Sequence, residues 1–269
     1  MNHKPLISII TVSFNSVSTI EKTILSIINQ TYTNIEYIII DGGSTDGTVD
    51  IIKKYSDKIS YWISEPDNGI YDAMNKGALK ATGEYIQYIN SSDIIYKNTT
   101  TEDIIKISDN ADIIYGDLIV DKEIGKFHLT PAPLNDFNFR FPIFHPSTWI
   151  KKEILLQYMF DTQYTIAADF DLFRKLYFNK KKFNYIPQIF IIFEGENGVS
   201  SSGSYKQWLE NQIIIKSRFL FIKKILYRVK KRISNTKNIL IRILLPNLYK
   251  KHLLVKYMNE DRVKKMIKD

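Results

Sequence analysis

The chain has 269 residues, 44% of them hydrophobic, enough for the core of one large α/β domain or two small ones. Zero cysteines exclude a disulfide framework and thiolate zinc sites, and suit a reducing compartment. The net charge of +8 is unevenly spread: residues 216–269 hold 17 Lys and Arg against three acids, whereas residues 1–215 hold 20 against 26, so a basic tail follows a mildly acidic body.

Only Lys4 precedes the apolar run Leu6 to Val12, and no small-residue cleavage site follows. That run, ending at Ser13, therefore reads as a first strand and not as a signal peptide. No apolar stretch approaches the roughly 20 residues that span a bilayer. Ser18-Thr19-Ile20-Glu21 has the form of a capping box, opening a helix whose Ile20, Ile24, Ile27 and Ile28 share one face. Ile35 to Asp41 is a second strand with Ile on successive positions, which suits a parallel sheet covered on both faces. It ends in Asp41 and the loop Gly42-Gly43-Ser44-Thr45-Asp46-Gly47-Thr48, at the strand end where ligands of such sheets gather. Thr45 or Asp46 can cap the helix that follows, but a charge at the edge of a core also requires partners of its own. Neither G-x-G-x-x-G nor G-x-x-x-x-G-K-[ST] is present, which weighs against a dehydrogenase and a P-loop.

A helix from about Thr48 to Tyr55, a strand Ile59 to Ser64 and the turn-rich Glu65 to Gly69 come next. The spacing predicts a helix over Ile70 to Lys80 with Asp72, Asn75 and Lys76 toward one side, either a solvated face or one turned to a ligand. Glu84 to Ile89 is a fourth strand, finishing in Asn90-Ser91-Ser92-Asp93, so a second carboxylate closes a second strand. These βα repeats predict a doubly wound half-domain.

Beyond Asp93 the pattern is a helix near Thr101 to Ile107, a strand Asp112 to Tyr115 and a polar hairpin to about His128. The aromatic, proline-rich Pro131 to Phe144 reads as a loop packed by its side chains, closed by His145-Pro146-Ser147-Thr148-Trp149. Ile166-Ala167-Ala168-Asp169-Phe170-Asp171-Leu172 opens a helix running through Tyr177, and short strands Phe183 to Ile186 and Gln188 to Phe193 follow. Gly195 to Gly203 reads as a flexible loop, and everything from Tyr205 onward is helical in pattern. Phe219, Ile222, Leu226, Val229 and Ile233 form an apolar stripe opposite Lys and Arg, and a second such helix, broken at Pro246, covers Ile239 to Lys256. The expected organisation is a domain over residues 1–203, divided near 95, and a basic helical tail over 204–269.

The first strand Ser8 to Asn15, the loop Asp41 to Thr48, the strand end Asn90-Ser91-Ser92-Asp93 and the helix start Ala168 to Leu172 together resemble glycosyltransferase family 2, of the GT-A fold, over residues 5 to about 203. Within it, Glu65 to Gly77 is most similar to non-processive bacterial enzymes that build surface polysaccharides. The resemblance implies a doubly wound, mainly parallel sheet with helices on both faces. It further implies that residues 1–95 hold the nucleotide-sugar and residues 96–203 the acceptor, and that a hexose or N-acetylhexosamine moves with inversion from a UDP-sugar to a hydroxyl of a glycan, lipid-linked at the cytoplasmic membrane face.

Carried over residue by residue, Thr11, Val12, Ser13, Asn15, Asp41, Gly42, Ser44, Asp67, Asp72, Lys76 and Ser92 would bind the nucleotide-sugar, with Asp41 accepting from the base. Asp93 matches the last carboxylate of the family's Asp-x-Asp motif and would hold Mn²⁺ or Mg²⁺, with Ser91 standing where the first Asp would be. Asp169 matches the catalytic base; Asp171 is its near competitor, or a first-turn carboxylate of the helix. His145 lines the acceptor side or packs in the core. The Gln-x-x-Arg-Trp motif of processive members is absent around Trp208, which implies one sugar per encounter. The basic tail suits an anionic membrane surface, with pairing of two subunits as a further use of it. A nucleic-acid-binding protein is the rival reading of that charge, but the regular apolar stripe favours lipid over phosphate tracking. A nucleotidyltransferase would need a Gly-rich, basic N-terminal loop that the chain lacks.

Overall fold

The computed structural model describes residues 4–194, 205–216 and the backbone of 263–267. The loop expected at Gly195 to Gly203 and the amphipathic helices expected between Phe219 and Lys256 lie outside the described residues.

The first half alternates β1 (Ile7–Ser13), α1 (Ile20–Ile28), β2 (Ile35–Asp41), α2 (Thr48–Lys54), β3 (Tyr61–Ser64), α3 (Ile70–Lys80) and β4 (Tyr85–Tyr88). The four strands are parallel, in the order β4, β1, β2, β3. Successive residues of β2 serve opposite cores, as its unbroken apolar run requires. Ile38 and Ile40 pack with Tyr71, Met74 and Ala78 of α3, while Tyr37 and Ile39 pack with Ile20, Ile24 and Ile27 of α1 and Ile52 of α2. The register sets Ser13 beside Asp41 and Asp41 beside Ser64, so the carboxyl ends of three strands form one row.

The second half comprises β5 (Ile94–Ile95), α4 (Thr100–Ile107), β6 (Ile113–Lys122), β7 (Gly125–Leu129), β8 (Thr148–Lys151), α5 (Lys152–Tyr158), α6 (Ala168–Phe178), β9 (Phe183–Glu194), α7 (Tyr205–Ile214) and β10 (Val263–Ile267). Here the sheet becomes mixed. β8 runs antiparallel between β4 and β6, β7 antiparallel to β6, and β10 antiparallel to β7, while β9 is parallel to β6 and antiparallel to β5. A mainly parallel sheet thus describes the first half only. The hairpin from β6 to β7 is too short for the helical crossover that a parallel pair needs.

Several local expectations differ in instructive ways. The two short strands after Tyr177 are one strand, β9, whose register slips against β6 around Gly116 and Asp117. Pro187, which has no N–H to give to the ladder, sits at that slip. Residues 263–267 are a strand where a helix-only tail was expected. The capping box does not form: α1 starts after Thr19 without a side-chain cap, and Glu21 instead takes Lys54 Nζ and the Tyr55 hydroxyl, each at 2.7 Å. At α2 the N-cap is Gly47, without a side-chain cap, and Asp46 just before it accepts from the Thr48 N–H at 3.0 Å. The aromatic loop packs as expected, with buried Phe137 against Phe141, Phe170, Tyr177 and Phe183.

α3 lies on β1 through Gly77, where a Cβ would stand 2.6 Å from Ile10 Cγ2 and 3.4 Å from Ile40 Cγ1. Glycine in a helix costs up to about 1 kcal/mol against alanine, whereas overpacking a core costs about 1–3 kcal/mol. Ile10 is β-branched, stiff at χ1 and fully buried in the middle of the sheet, so it gives way only at a cost. Gly77→Ala is therefore expected to lower the urea midpoint at unchanged slope, despite the better helix former; a midpoint at or above wild type would show that α3 moves off the sheet at no cost.

Candidate active site

The site begins at the row of strand ends. Asp41 is fully buried, yet its carboxylate is saturated: Oδ1 accepts from Ser13 Oγ (2.8 Å) and Ser44 Oγ (2.6 Å). Oδ2 accepts from Gly43 N (3.2 Å), Ser44 N (2.8 Å) and Ser64 Oγ (2.6 Å). Burial alone would raise its pKa, but hydrogen bonds from Ser44, Ser64 and Ser13 outweigh it and hold Asp41 below the ordinary carboxylate value. Every one of these donors belongs to the chain, so Asp41 fixes the conformation of the loop that follows it. Ser44 Oγ also accepts from Asn15 N (2.8 Å), and Asn15, at φ +48°, accepts from Thr45 N (3.0 Å).

The remaining donor-side residues divide between rim and core. Gly42 lies against Asp67, since a Cβ there would be 2.6 Å from Asp67 Oδ2; Asp67 Oδ1 accepts from Gly69 N at 2.8 Å. In the first turn of α3, Asp72 accepts from Asn68 N (3.0 Å) and pairs with Lys76 (3.6 Å), which also reaches Glu65 at 2.8 Å. Thr11 and Val12 are in the core: the Thr11 hydroxyl accepts from Tyr37 OH at 3.1 Å, and Val12 packs with α3. Ser92 is half-buried on the turn after β4. Phe14, unremarked in the sequence, is 64% exposed with its ring against Gly42.

Asp93 occupies a contrasting environment. Its backbone is tied by Asp93 N to Asn90 O (2.9 Å) and by Thr23 Oγ1 of α1 to its carbonyl (2.8 Å). Oδ1 accepts from Glu194 N at 3.3 Å, whereas Oδ2, and Asn90 Oδ1 on the same turn, are buried with no hydrogen-bond partner. Burial pushes the Asp93 pKa up to about 8 against the pull of the Glu194 N–H. Two orphaned hard oxygens are the donor set a small divalent cation takes, and they fit such an ion together with ligand phosphates. Among the described residues no cluster of three His, Asp or Glu side chains offers an all-protein metal cage.

Asp169, in the first turn of α6, is half-buried. Its Oδ1 accepts from Phe170 N at 2.8 Å and lies 3.1 Å from the hydroxyl of Tyr71 in α3. Burial raises its pKa to about 6 despite these bonds, and the charge of Glu210 adds to the rise. Asp171, buried on the same turn, forms an ion pair with Lys175 one turn on. His145 packs between the rings of Tyr88, Phe160 and Phe173 at 5.3–5.8 Å. Burial lowers its pKa to about 4, so it is neutral at pH 7, and its buried Nε2 has no partner.

α3 thus links the two halves: its N-terminal loop borders Asp41, and Tyr71 reaches Asp169. Tyr71, Ser64, Phe14 and Glu210 were not singled out from sequence. Ser64 had a signal, as a hydroxyl ending a strand beside the Asp41 strand; Tyr71 and Glu210 act across 98 and 43 or more residues and left none.

The family profile described as Glycosyl transferase family 2 matches residues 8–180. An uncharacterized glycosyltransferase of Mycobacterium tuberculosis is 42% identical over 94 residues, 35% of this chain and 36% of the relative. One of Rickettsia typhi is 30% identical over 188 residues, 64% of this chain and 59% of the relative, and a PGL/p-HBAD biosynthesis glycosyltransferase of Mycobacterium bovis is 32% identical over 122 residues, 43% and 48%. The matched stretches therefore span about a third to three fifths of these curated relatives. Among solved structures, S. aureus TarS residues 1–349 in complex with UDP-GlcNAc superposes with a TM-score of 0.61 at 19% identity, over 78% of this chain and 65% of that one. The mannosyltransferase PcManGT of Pyrobaculum calidifontis, in complex with GDP-Man and Mn²⁺, gives 0.58 at 18%, over 78% and 61%. With the profile covering more than half of the sequence and the sheet, strand-end loops and acidic helix start in the places it implies, the chain belongs to glycosyltransferase family 2.

Proposed function

We propose that the chain transfers a hexose or N-acetylhexosamine, with inversion, from a UDP-sugar to a glycan hydroxyl in surface polysaccharide synthesis. The observation that carries this reading is Asp169: a half-buried carboxylate at a helix start, hydrogen-bonded by Tyr71, with a pKa raised to about 6. The acceptor oxygen attacks the anomeric carbon opposite the diphosphate. A new C–O bond forms as the C–O bond to the β-phosphate breaks, the acceptor proton passes to the Asp169 carboxylate, and the bonding pair departs with UDP. A positioned base of this kind contributes about 10²–10⁴-fold.

On the donor side, the saturated Asp41 holds its loop in one conformation before substrate arrives, and the exposed Phe14 ring offers a face for a nucleobase. UDP as the nucleotide is supported by the TarS complexes with UDP and UDP-GlcNAc; GDP-Man in PcManGT is the competing precedent. Asp93 and Asn90 would hold Mn²⁺ or Mg²⁺, which when bound supplies positive charge against the diphosphate. Among the described residues no helix is long and apolar enough to cross a membrane. The basic tail is read as meeting an anionic membrane surface where a lipid-linked acceptor would reside, each basic residue near it contributing about 1 kcal/mol.

Asp169→Asn keeps size and polarity but takes no proton, so kcat is expected to fall about 10²-fold or more with UDP affinity retained. In the wild type the active form is the ionised carboxylate; kcat/KM should be present above pH about 6 and be lost as pH falls through that value. Turnover persisting in Asp169→Asn, or moving its defect to Asp171→Asn, identifies a different base.

Asp93→Asn is expected to abolish the gain in UDP affinity that Mn²⁺ confers on the wild type, read by calorimetry with and without chelator. Equal Mn²⁺ dependence in both proteins removes Asp93 from the cation site. The full-length chain should float with vesicles containing anionic lipid at low salt and be released as salt rises; indifference to vesicle charge would end the membrane reading.

A further inference from the structure

Outside the four motifs, one buried acid is bonded more heavily than its position in the chain would suggest. Glu210 of α7 is 8% exposed, and four donors converge on its carboxylate. Thr165 N (3.1 Å) and Thr165 Oγ1 (2.9 Å) bond Oε1; Ile166 N and Ala167 N, both at 3.0 Å, bond Oε2. These three residues are the chain that enters α6, two positions before Asp169. The N-cap of that helix is Ala167, which has no side chain able to cap. The unpaired N–H groups of a helix start must be satisfied, and a negative charge is favoured there by the helix dipole. From another helix, Glu210 satisfies the N–H of that N-cap and of the two residues before it, and brings a negative charge to the helix start. The opposite edge of the same segment is held as well, since Tyr71 OH lies 2.8 Å from the Ile166 carbonyl and 3.1 Å from Asp169 Oδ1.

We propose that Glu210 is a positioning residue for the reaction: by clamping residues 165–167 from α7, while Tyr71 holds them from α3, it fixes where Asp169 presents its carboxylate, so the catalytic unit extends beyond residue 203 through α7. This rests on the reading of Asp169 as the base. The family profile ends at residue 180, and the boundary expected from composition falls at 203, so neither includes the clamp. Glu210 also acts through charge. The titratable groups that face Asp169 are Tyr71 of α3 and Glu210 of α7, and the Glu210 carboxylate adds to the rise of the Asp169 pKa. One residue therefore fixes the place of the proton acceptor and adds to a basicity that burial mainly sets. A chain cut after Gly203 would lose both, and would fail on soluble acceptors as well as on lipid-linked ones.

The test uses the full chain. Glu210→Gln keeps the volume but replaces one acceptor oxygen by an NH₂ group, which cannot accept from two of the four donors. Kcat is expected to fall about 10-fold or more, the scale on which small misplacements of a catalytic group act, with donor KM and UDP affinity near wild type because the Asp41 loop makes no contact with Glu210. The acid limb of kcat/KM should move slightly to lower pH, since burial still raises the Asp169 pKa but the charge that added to the rise is gone. Glu210→Asp, which restores the charge one methylene short, should return the acid limb while recovering only part of kcat. Wild-type kcat and an unmoved limb in Glu210→Gln, whatever its melting temperature, overturn the proposal. If that variant does not bind UDP and so has not folded, exposed Thr165→Val, which deletes only one of the four donors, decides: a several-fold loss of kcat supports the clamp, and unchanged kcat overturns it. Asp169→Asn is measured alongside. Turnover surviving there removes the base reading itself, whereas its loss there with full activity in Glu210→Gln removes the positioning role alone.

Discussion

The constraint on which the rest of the molecule depends is the buried charge at the end of β2. A carboxylate with no exposure must collect donors from its own chain, because leaving even one buried polar group unpaired costs about 1–3 kcal/mol. Asp41 takes them from β1 (Ser13), from β3 (Ser64) and from the loop that follows it (Gly43 and Ser44), so the register of three parallel strands and the loop conformation are specified together. A slip of one residue in either neighbouring strand would turn a serine to the other face of the sheet and strand the charge. The loop presented to a ligand is thereby rigid before any ligand arrives, and α3, whose N-terminal segment borders that loop, inherits a fixed position.

Three carboxylates, at the end of β2, on the turn after β4 and in the first turn of α6, show how environment alone assigns different chemistry to one functional group. Asp41, with five donors, stays ionised and structural. Asp93, fully buried with one oxygen unpaired, is raised by that burial to about 8. Asp169, half-buried and raised to about 6, is ionised at neutral pH yet basic enough to accept a proton. His145, neutral among aromatic rings, belongs to the wall between β4 and α6. Asp171, one residue past Phe170 on the same helix as Asp169, pairs with Lys175 instead of with Tyr71.

The second half is joined to the first through the shared sheet, where β8 pairs with β4, and through specific side-chain ties around α3. Asn75 of α3 makes two hydrogen bonds to the backbone of Phe160, whose ring meets both Tyr71 and His145. Tyr71 reaches Asp169, and Glu210 closes the far side. α3 is thus the shared wall of both halves. Its close seat on β1 at Gly77 is what brings Tyr71 within reach of α6.

The sequence by itself determined the parallel half of the sheet, the strand-end position of Asp41 and Asp93, the helix opened by Asp169 and the family. Each of these is written in local pattern: an apolar run followed by glycines and hydroxyls, or a carboxylate placed at a periodicity change. It misplaced what depends on partners distant in the chain. The capping box of α1 dissolved because Glu21 found Lys54 and Tyr55; Thr11 proved to be core because Tyr37 claims its hydroxyl; and β10 joined β7 although its residues read as helix. Only the tertiary structure decided that Asp41 is saturated, that one oxygen of Asp93 is orphaned and that Glu210 grips the stretch of chain leading to Asp169. The physical reason is that hydrogen-bond satisfaction and desolvation are settled by which side chains meet across tens of residues, and no spacing rule within one segment carries that information.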